Sequence, residues 1–264
     1  MSISQAVPVP ASAASVRKPS VAFVVECALS HESNDDPIVH PGHAAMSHLH
    51  SFFGNRSTTA ASTAASLASM RNTTCDNNDD VAAYWAPSLE GANWVSMRAY
   101  YDVGSVDQAS IGSFPFGLGI VAGNGRGSVA WSCGKSVGAS GWSAAPNDCS
   151  GTRTVTVRIT FAQCWDGKHR FLAESRHMVD AVNGGCPASH RVAVPRLRLI
   201  LRSSSPLAPK AVSSGGLDTM HADFLNAWPQ APLATLVTRC IRGERSTSAE
   251  LRSCRSKTSE PAPL

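Results

Sequence analysis

Over much of its length the chain alternates apolar and polar residues at every second position, in short runs closed by turn residues. The clearest case is Thr152–Phe161, where Val155, Val157, Ile159 and Phe161 are interleaved with Thr and Arg. Such a run predicts a strand with one buried face. Arg191–Val194 and Leu197–Leu201 predict another strand, and the apolar run Val21–Val25 predicts a buried first strand that ends at Cys27. Tyr84–Leu89 and Trp94–Tyr101, separated by Gly91-Ala92-Asn93, read as a hairpin. Two stretches have a different period. Residues 57–72 predict a short helix capped by Ser57 or Thr58. From His221 to Cys240, residues Phe224, Leu225, Trp228, Leu233, Leu236 and Val237 fall on one helical stripe, which Pro229 and Pro232 split in two. The expected fold is all-β: a disulfide-stapled sandwich of jelly-roll type with one or two short C-terminal helices, a closed barrel being the alternative.

Composition supports this picture. Among 264 residues, 20 glycines and 16 prolines suit many turns, and 43% hydrophobic content is enough for one sizeable core. Residues 1–19 read as a disordered leader, 20–243 as a single domain and 244–264 as a polar tail. A net charge of +4 with no concentrated basic run argues against nucleic acid as a partner. No apolar run reaches transmembrane length. The eight cysteines are an even number and point to an oxidising, extracellular compartment. Local spacing favours Cys133 with Cys149, Cys164 with Cys186, and Cys240 with Cys254, leaving Cys27 for Cys75. A thiolate metal site is disfavoured because there is no Cys-x-x-Cys. The first residues contain Ala11-Ser12-Ala13 but lack the basic start and apolar stretch of a signal peptide, so the cysteines carry the expectation of secretion.

The chemistry concentrates in one segment. Histidines 40, 43, 48 and 50 fall within eleven positions, between Asp35-Asp36-Pro37 and Phe52-Phe53-Gly54-Asn55. On a strand, His48 and His50 share a face, and two neutral imidazoles there make good ligands for zinc or copper, although a catalytic ion needs a third. The plainer alternative is that these rings bond to loop backbone. A serine hydrolase lacks its Gly-x-Ser-x-Gly elbow here. Gly123–Gly127 lacks the Lys-Ser/Thr ending of a phosphate loop and reads as a turn.

Four blocks, taken in order, are specific. They are Asp35–Val39 with Pro41-Gly42 and Ser47–Asn55; Thr74-Cys75 with Asp80 and Ala83–Leu89; Cys164-Trp165-Asp166-Gly167; and Cys186–Val192 with Pro195-Arg196-Leu197. A fifth block, Ser213-Ser214-Gly215 with His221–Phe224 and Asn226-Ala227-Trp228, fits a bacterial branch. Over roughly residues 20–242 the chain resembles the family of domain of unknown function nineteen ninety-six, found in exported proteins of fungi and filamentous soil bacteria. The resemblance implies a secreted, disulfide-bonded protein directed at cell-wall or plant polysaccharide. The chain departs from the pattern after Gly167, where Lys168-His169-Arg170 and Glu174–His177 replace the usual surroundings of His177.

Within these blocks His177, His190 and His221 are candidates to complete a divalent-metal site with His48 and His50, and Asp223 is a candidate ligand or orienter. Asp166, His177 and His190 are the candidate acid–base groups, and Trp165 and Tyr84 the candidate sugar-binding rings. Asp-Gly at Asp166 also marks a turn, which is the plainer role. Two function classes follow. One is a polysaccharide-active hydrolase, lyase or metal-dependent enzyme. The other is a non-catalytic carbohydrate-binding or structural wall module.

Overall fold

A computed structural model describes residues 22–124, 128–134, 141–146, 148–151, 153–244 and 254; the expected leader and nearly all of the expected tail lie outside them. The strands in chain order are β1 (Ala22–Ser33), β2 (His50–Gly54), β3 (Ala83–Pro87), β4 (Trp94–Asp102), β5 (Gly119–Gly123), β6 (Ser128–Cys133) and β7 (Val155–Thr160). They continue with β8 (Cys164–Trp165), β9 (Met178–Val179), β10 (Val192–Ala193), β11 (Arg196–Ser203), β12 (Ala211–Val212), β13 (Gly215–Gly216) and β14 (His221–Leu225). Nine of them hydrogen-bond side by side in the order β5-β14-β3-β2-β1-β4-β11-β7-β6, and every pairing among them is antiparallel.

β1 belongs to both halves of this sheet. Its first part pairs with β4 and its last part with β2, and the register shifts between Leu29 and His31. A bulge bends and twists a strand, so the halves fold over one another and β5 comes close to β6 and β7. The enclosed core is made by residues that alternate inward: Phe23 and Val25, Met97 and Tyr101, Val157 and Ile159, Leu197 to Leu201 on every second position, and Trp131. The fold is all-β and sandwich-like, as the alternating pattern predicts. Four disulfides staple it: Cys133–Cys149, Cys164–Cys186 and Cys240–Cys254, the three pairs that local spacing favours, and Cys27–Cys75, the pair left over.

Three local expectations are corrected. β3 and β4 form no hairpin with each other: β3 pairs with β2 and β14, and β4 with β1 and β11, so the Gly91 turn carries the chain from one half to the other. The early helix α1 (Ala64–Met70) starts later than expected, because Thr63 and Ser66 form a reciprocal capping box while the Ser57 and Thr58 hydroxyls bond to Asn55. The segment expected to be helical from His221 begins as strand β14, and only α2 (Gln230–Leu236) with a following π-turn to Ile241 is helical. β14 is buried at all five positions because it lies between β3 and β5 and is covered on both faces. A strand covered on both sides loses its alternation, so periodicity could not separate it from a helix.

A second, smaller apolar cluster lies outside the sandwich, on the outer face of β2, β3 and β14. It comprises Ile38, Phe52, Leu67, Trp85 and Leu225 with neighbouring alanines and valine. α1 and the loop of residues 34–49 cover it. This cover places the histidines.

Candidate metal centre

On the outer face of that half, β2 and β14 flank β3. His50 stands opposite Pro87, while Phe52 and Asp223 both stand opposite Trp85. Two-residue alternation therefore puts His221 in the same cross-strand row as His50, with β3 between them. His48 reaches the same place from the end of the covering loop. The three rings pack with centroids 4.2 Å apart for His48 and His50, 5.1 Å for His48 and His221, and 5.7 Å for His50 and His221. One ring nitrogen from each lies within 4.8 Å of the other two.

In two of the rings Nδ1 is fixed. Nδ1 of His50 bonds the Asp35 carbonyl at 3.0 Å, and Nδ1 of His221 bonds the Thr219 carbonyl at 2.9 Å. A carbonyl only accepts, so Nδ1 carries the proton in both rings and Nε2 keeps its lone pair. This is the form in which imidazole binds metals, with the backbone carbonyl as orienter. Nε2 of His48 and of His50 are buried and without a hydrogen-bond partner. Burial pushes His50 down to about 3 and His48 down to about 4, the neighbouring imidazoles adding to both shifts. The two rings are therefore neutral at neutral pH.

Two carboxylates complete the group. Asp223 is fully buried, both its oxygens lack a hydrogen-bond partner, and Oδ2 lies 3.8 Å from His221 Nε2. Burial, reinforced by Asp36, pushes its carboxyl well above the usual range. Asp36, also buried, accepts from the amides of Ile38 and Val39 through Oδ1 and forms a second donor group with His50 and Asp223, again within 4.8 Å. In the sequence Asp36 stands out only as part of the Asp35–Val39 block. Its Asp-Pro context marks a turn, and nothing in the pattern says that the turn folds back over β14.

The other candidates lie elsewhere. His177 Nε2 donates to the Gly119 carbonyl at 3.0 Å and its Nδ1 accepts from the Leu172 amide at 3.2 Å. It thereby satisfies the edge of β5, where the Ser175 hydroxyl also receives the Val121 amide. His190 bonds Ser189 and the Arg176 carbonyl. Asp166 takes the amides of Lys168 and His169 and the His169 ring in a turn where Gly167 has φ of +78°. Burial raises its carboxyl, but these bonds outweigh it and hold the group at about 2. Trp165 is 9% exposed, donates to the His169 carbonyl, and has Arg170 over its ring. Tyr84 is wholly buried in the sandwich, bonded to Asp80 and Tyr101, so neither face of its ring meets solvent. A third grouping of possible ligands, Cys27, Cys75 and Asp80, is closed by the disulfide between its cysteines.

Fold and site thus define a disulfide-stapled all-β domain with a buried nitrogen and oxygen donor cluster on its outer face. The chain belongs to the family described as Domain of unknown function (DUF1996), which it matches over residues 36–228. The matched span contains every residue of the cluster. No curated protein and no solved structure matches the chain. No described helix is long and apolar enough to cross a membrane.

Proposed function

We propose that the protein is an exported domain that binds a divalent metal ion through His48, His50 and His221 with Asp223, and that it is directed at cell-wall or plant polysaccharide. One observation carries the metal reading. One ring nitrogen from each of three histidines converges beside a fully buried carboxylate that has no hydrogen-bond partner. Ionised there without a partner, such a group costs several kcal/mol, on the order of the penalty for any buried ion, which is why burial raises its carboxyl, and a cation removes that cost. The donor set suits a borderline ion such as zinc or copper. The polysaccharide reading is supported by the family resemblance, and the four disulfides support export.

A non-catalytic wall-binding module is the second reading. It is favoured by the bonding of His177, His190 and Asp166, each already engaged by neighbouring backbone or side chains. Elemental analysis of purified protein, followed by a polysaccharide panel with product detection, separates the two. Bound zinc or copper together with released sugar supports the enzyme, and bound metal with retention on polysaccharide but no product supports the module. Protein that takes up no metal from a chelator-buffered series ends the metal reading.

A further inference from the structure

The loop of residues 34–49 brings more than His48 to the cluster. Asp36 divides its carboxylate between two tasks. Oδ1 holds the turn by accepting the Ile38 and Val39 amides at 2.9 and 2.8 Å, and the carboxylate also joins His50 and Asp223 in a donor group within 4.8 Å. Asp36 and Asp223 are 3% and 0% exposed, and no described Lys or Arg bonds to either. Three neutral imidazoles and two carboxylates carry two negative charges when both acids ionise. Bringing two buried like charges together is unfavourable unless a cation of matching charge lies between them.

Geometry agrees. Donors bound to one ion at about 2.1 Å are at most about 4.2 Å apart, so within each of the two triads, His48–His50–His221 and Asp36–His50–Asp223, donors within 4.8 Å need only shift by a few tenths of an ångström, and the two triads meet at His50. We infer that Asp36 is a further ligand, and that with Asp223 it makes the cluster a three-nitrogen, two-oxygen centre for a divalent ion such as zinc rather than for cuprous copper. Hard carboxylate oxygens favour a divalent ion, whereas cuprous copper is selected by soft sulfur donors, and no sulfur ligand lies in the cluster. Two of the five donors come from the loop and three from strands, so the ion also ties the loop to the sheet. This inference rests on the metal reading above and deepens it.

The test uses Asp36→Asn in the full chain. Asparagine keeps an oxygen to accept the two turn amides but removes the charge and the carboxylate donor. Native disulfide mapping and near-ultraviolet circular dichroism establish that the variant is folded, and Asp36→Ser, which also keeps a turn acceptor, serves if it is not. Zinc affinity is measured by calorimetry and cuprous affinity by chelator competition. The expected result is a loss of zinc affinity of at least about tenfold with cuprous affinity unchanged. Proteolysis within residues 39–46 should slow when zinc is added to the wild type, and slow much less in the variant. Unchanged zinc affinity in a folded variant, or a wild type that prefers cuprous copper, overturns the role of Asp36 while leaving a metal site in place. A wild type that binds neither ion overturns both the inference and the reading beneath it.

Discussion

Two groups of histidines stand on the two edges of one structural problem, and they solve it differently. His177 sits beside the edge strand β5 with both ring nitrogens bonded, one to the Gly119 carbonyl and one to the Leu172 amide. His48, His50 and His221 sit over the middle of the β2–β3–β14 layer, where Nε2 of His48 and of His50 finds no partner at all. An edge strand presents unpaired backbone groups, and a polar ring beside it is used up in satisfying them. Central strands have already paired their backbones, so the rings of His50 and His221 bond only loop carbonyls through Nδ1, and the strands leave Nε2 of His50 unanswered. Burial alone does not mark a functional histidine. Burial with an unanswered lone pair is what sets His48 and His50 apart from His177.

The largest contrast should come from single substitutions on the two sides. His50→Ala should lower divalent-metal affinity by at least about 100-fold, because it removes a ligand from a preoriented set, while His177→Ala leaves that affinity unchanged. Stability should respond in the opposite sense. His177→Ala orphans the Gly119 carbonyl and the Leu172 amide and should cost about 1–3 kcal/mol in denaturant unfolding, whereas apo His50→Ala loses one bond to the Asp35 carbonyl. Equal loss of metal in both variants would erase the distinction.

Next in size is the pH response of the apo protein. His48 and His50 are held down to about 4 and about 3, against 6.5 in the unfolded chain. The unfolded chain therefore binds more protons between 6.5 and about 3, and stability should fall as pH drops through that window. Asp80 has the opposite sign. Burial pushes it up to about 8, so the folded state binds the extra proton and stability should fall as pH rises from 3.8 through about 8. Thermal unfolding across this range should show both limbs. Asp80→Asn should flatten the alkaline one, and the double variant His48→Gln, His50→Gln the acid one.

A smaller effect is expected on the outer face of the other half, where Asp102 holds Arg196 at 3.0 Å and Arg198 at 2.7 Å. Asp102→Ala leaves two neighbouring guanidinium groups without their shared acid and should cost about 1–3 kcal/mol, less at high salt, read from denaturant midpoints. The smallest change should be at Asp166. Asp166→Asn keeps an acceptor for the Lys168 and His169 amides and should shift stability by under about 1 kcal/mol without altering metal content. A loss of activity there without loss of stability would return Asp166 to the site.

How much of this was legible depends on the element. Strand β7 is legible almost residue for residue, because it alternates between the core and the outer face. For β11 only Leu197–Leu201 holds: Arg191–Val194, expected in the same strand, becomes β10 and pairs with β8 in a separate small sheet. The cysteine pairs were legible for three short loops, where proximity in sequence leaves little freedom. His48 and His50 are legible as a pair from their two-residue spacing, although only His50 lies on a strand and His48 ends the covering loop. His221 was legible as a candidate and not as a partner, since its own segment carries a helical stripe and no sign of the strand it becomes.

What the sequence by itself determined was therefore the local code: alternation, turn positions, the cysteine framework and a His-x-His pair facing one way. The tertiary structure decided which faces meet. It set β14 beside β3 so that His221 shares a row with His50, folded the Asp35–Leu49 loop over them, and left Asp223 fully buried without a partner. Period-two geometry is a property of neighbouring residues and holds wherever the chain is extended. Convergence of His48, His221 and Asp223 is a property of strand order, and strand order comes from covering the outer apolar cluster of Phe52, Trp85 and Leu225, a long-range packing choice that no local spacing records.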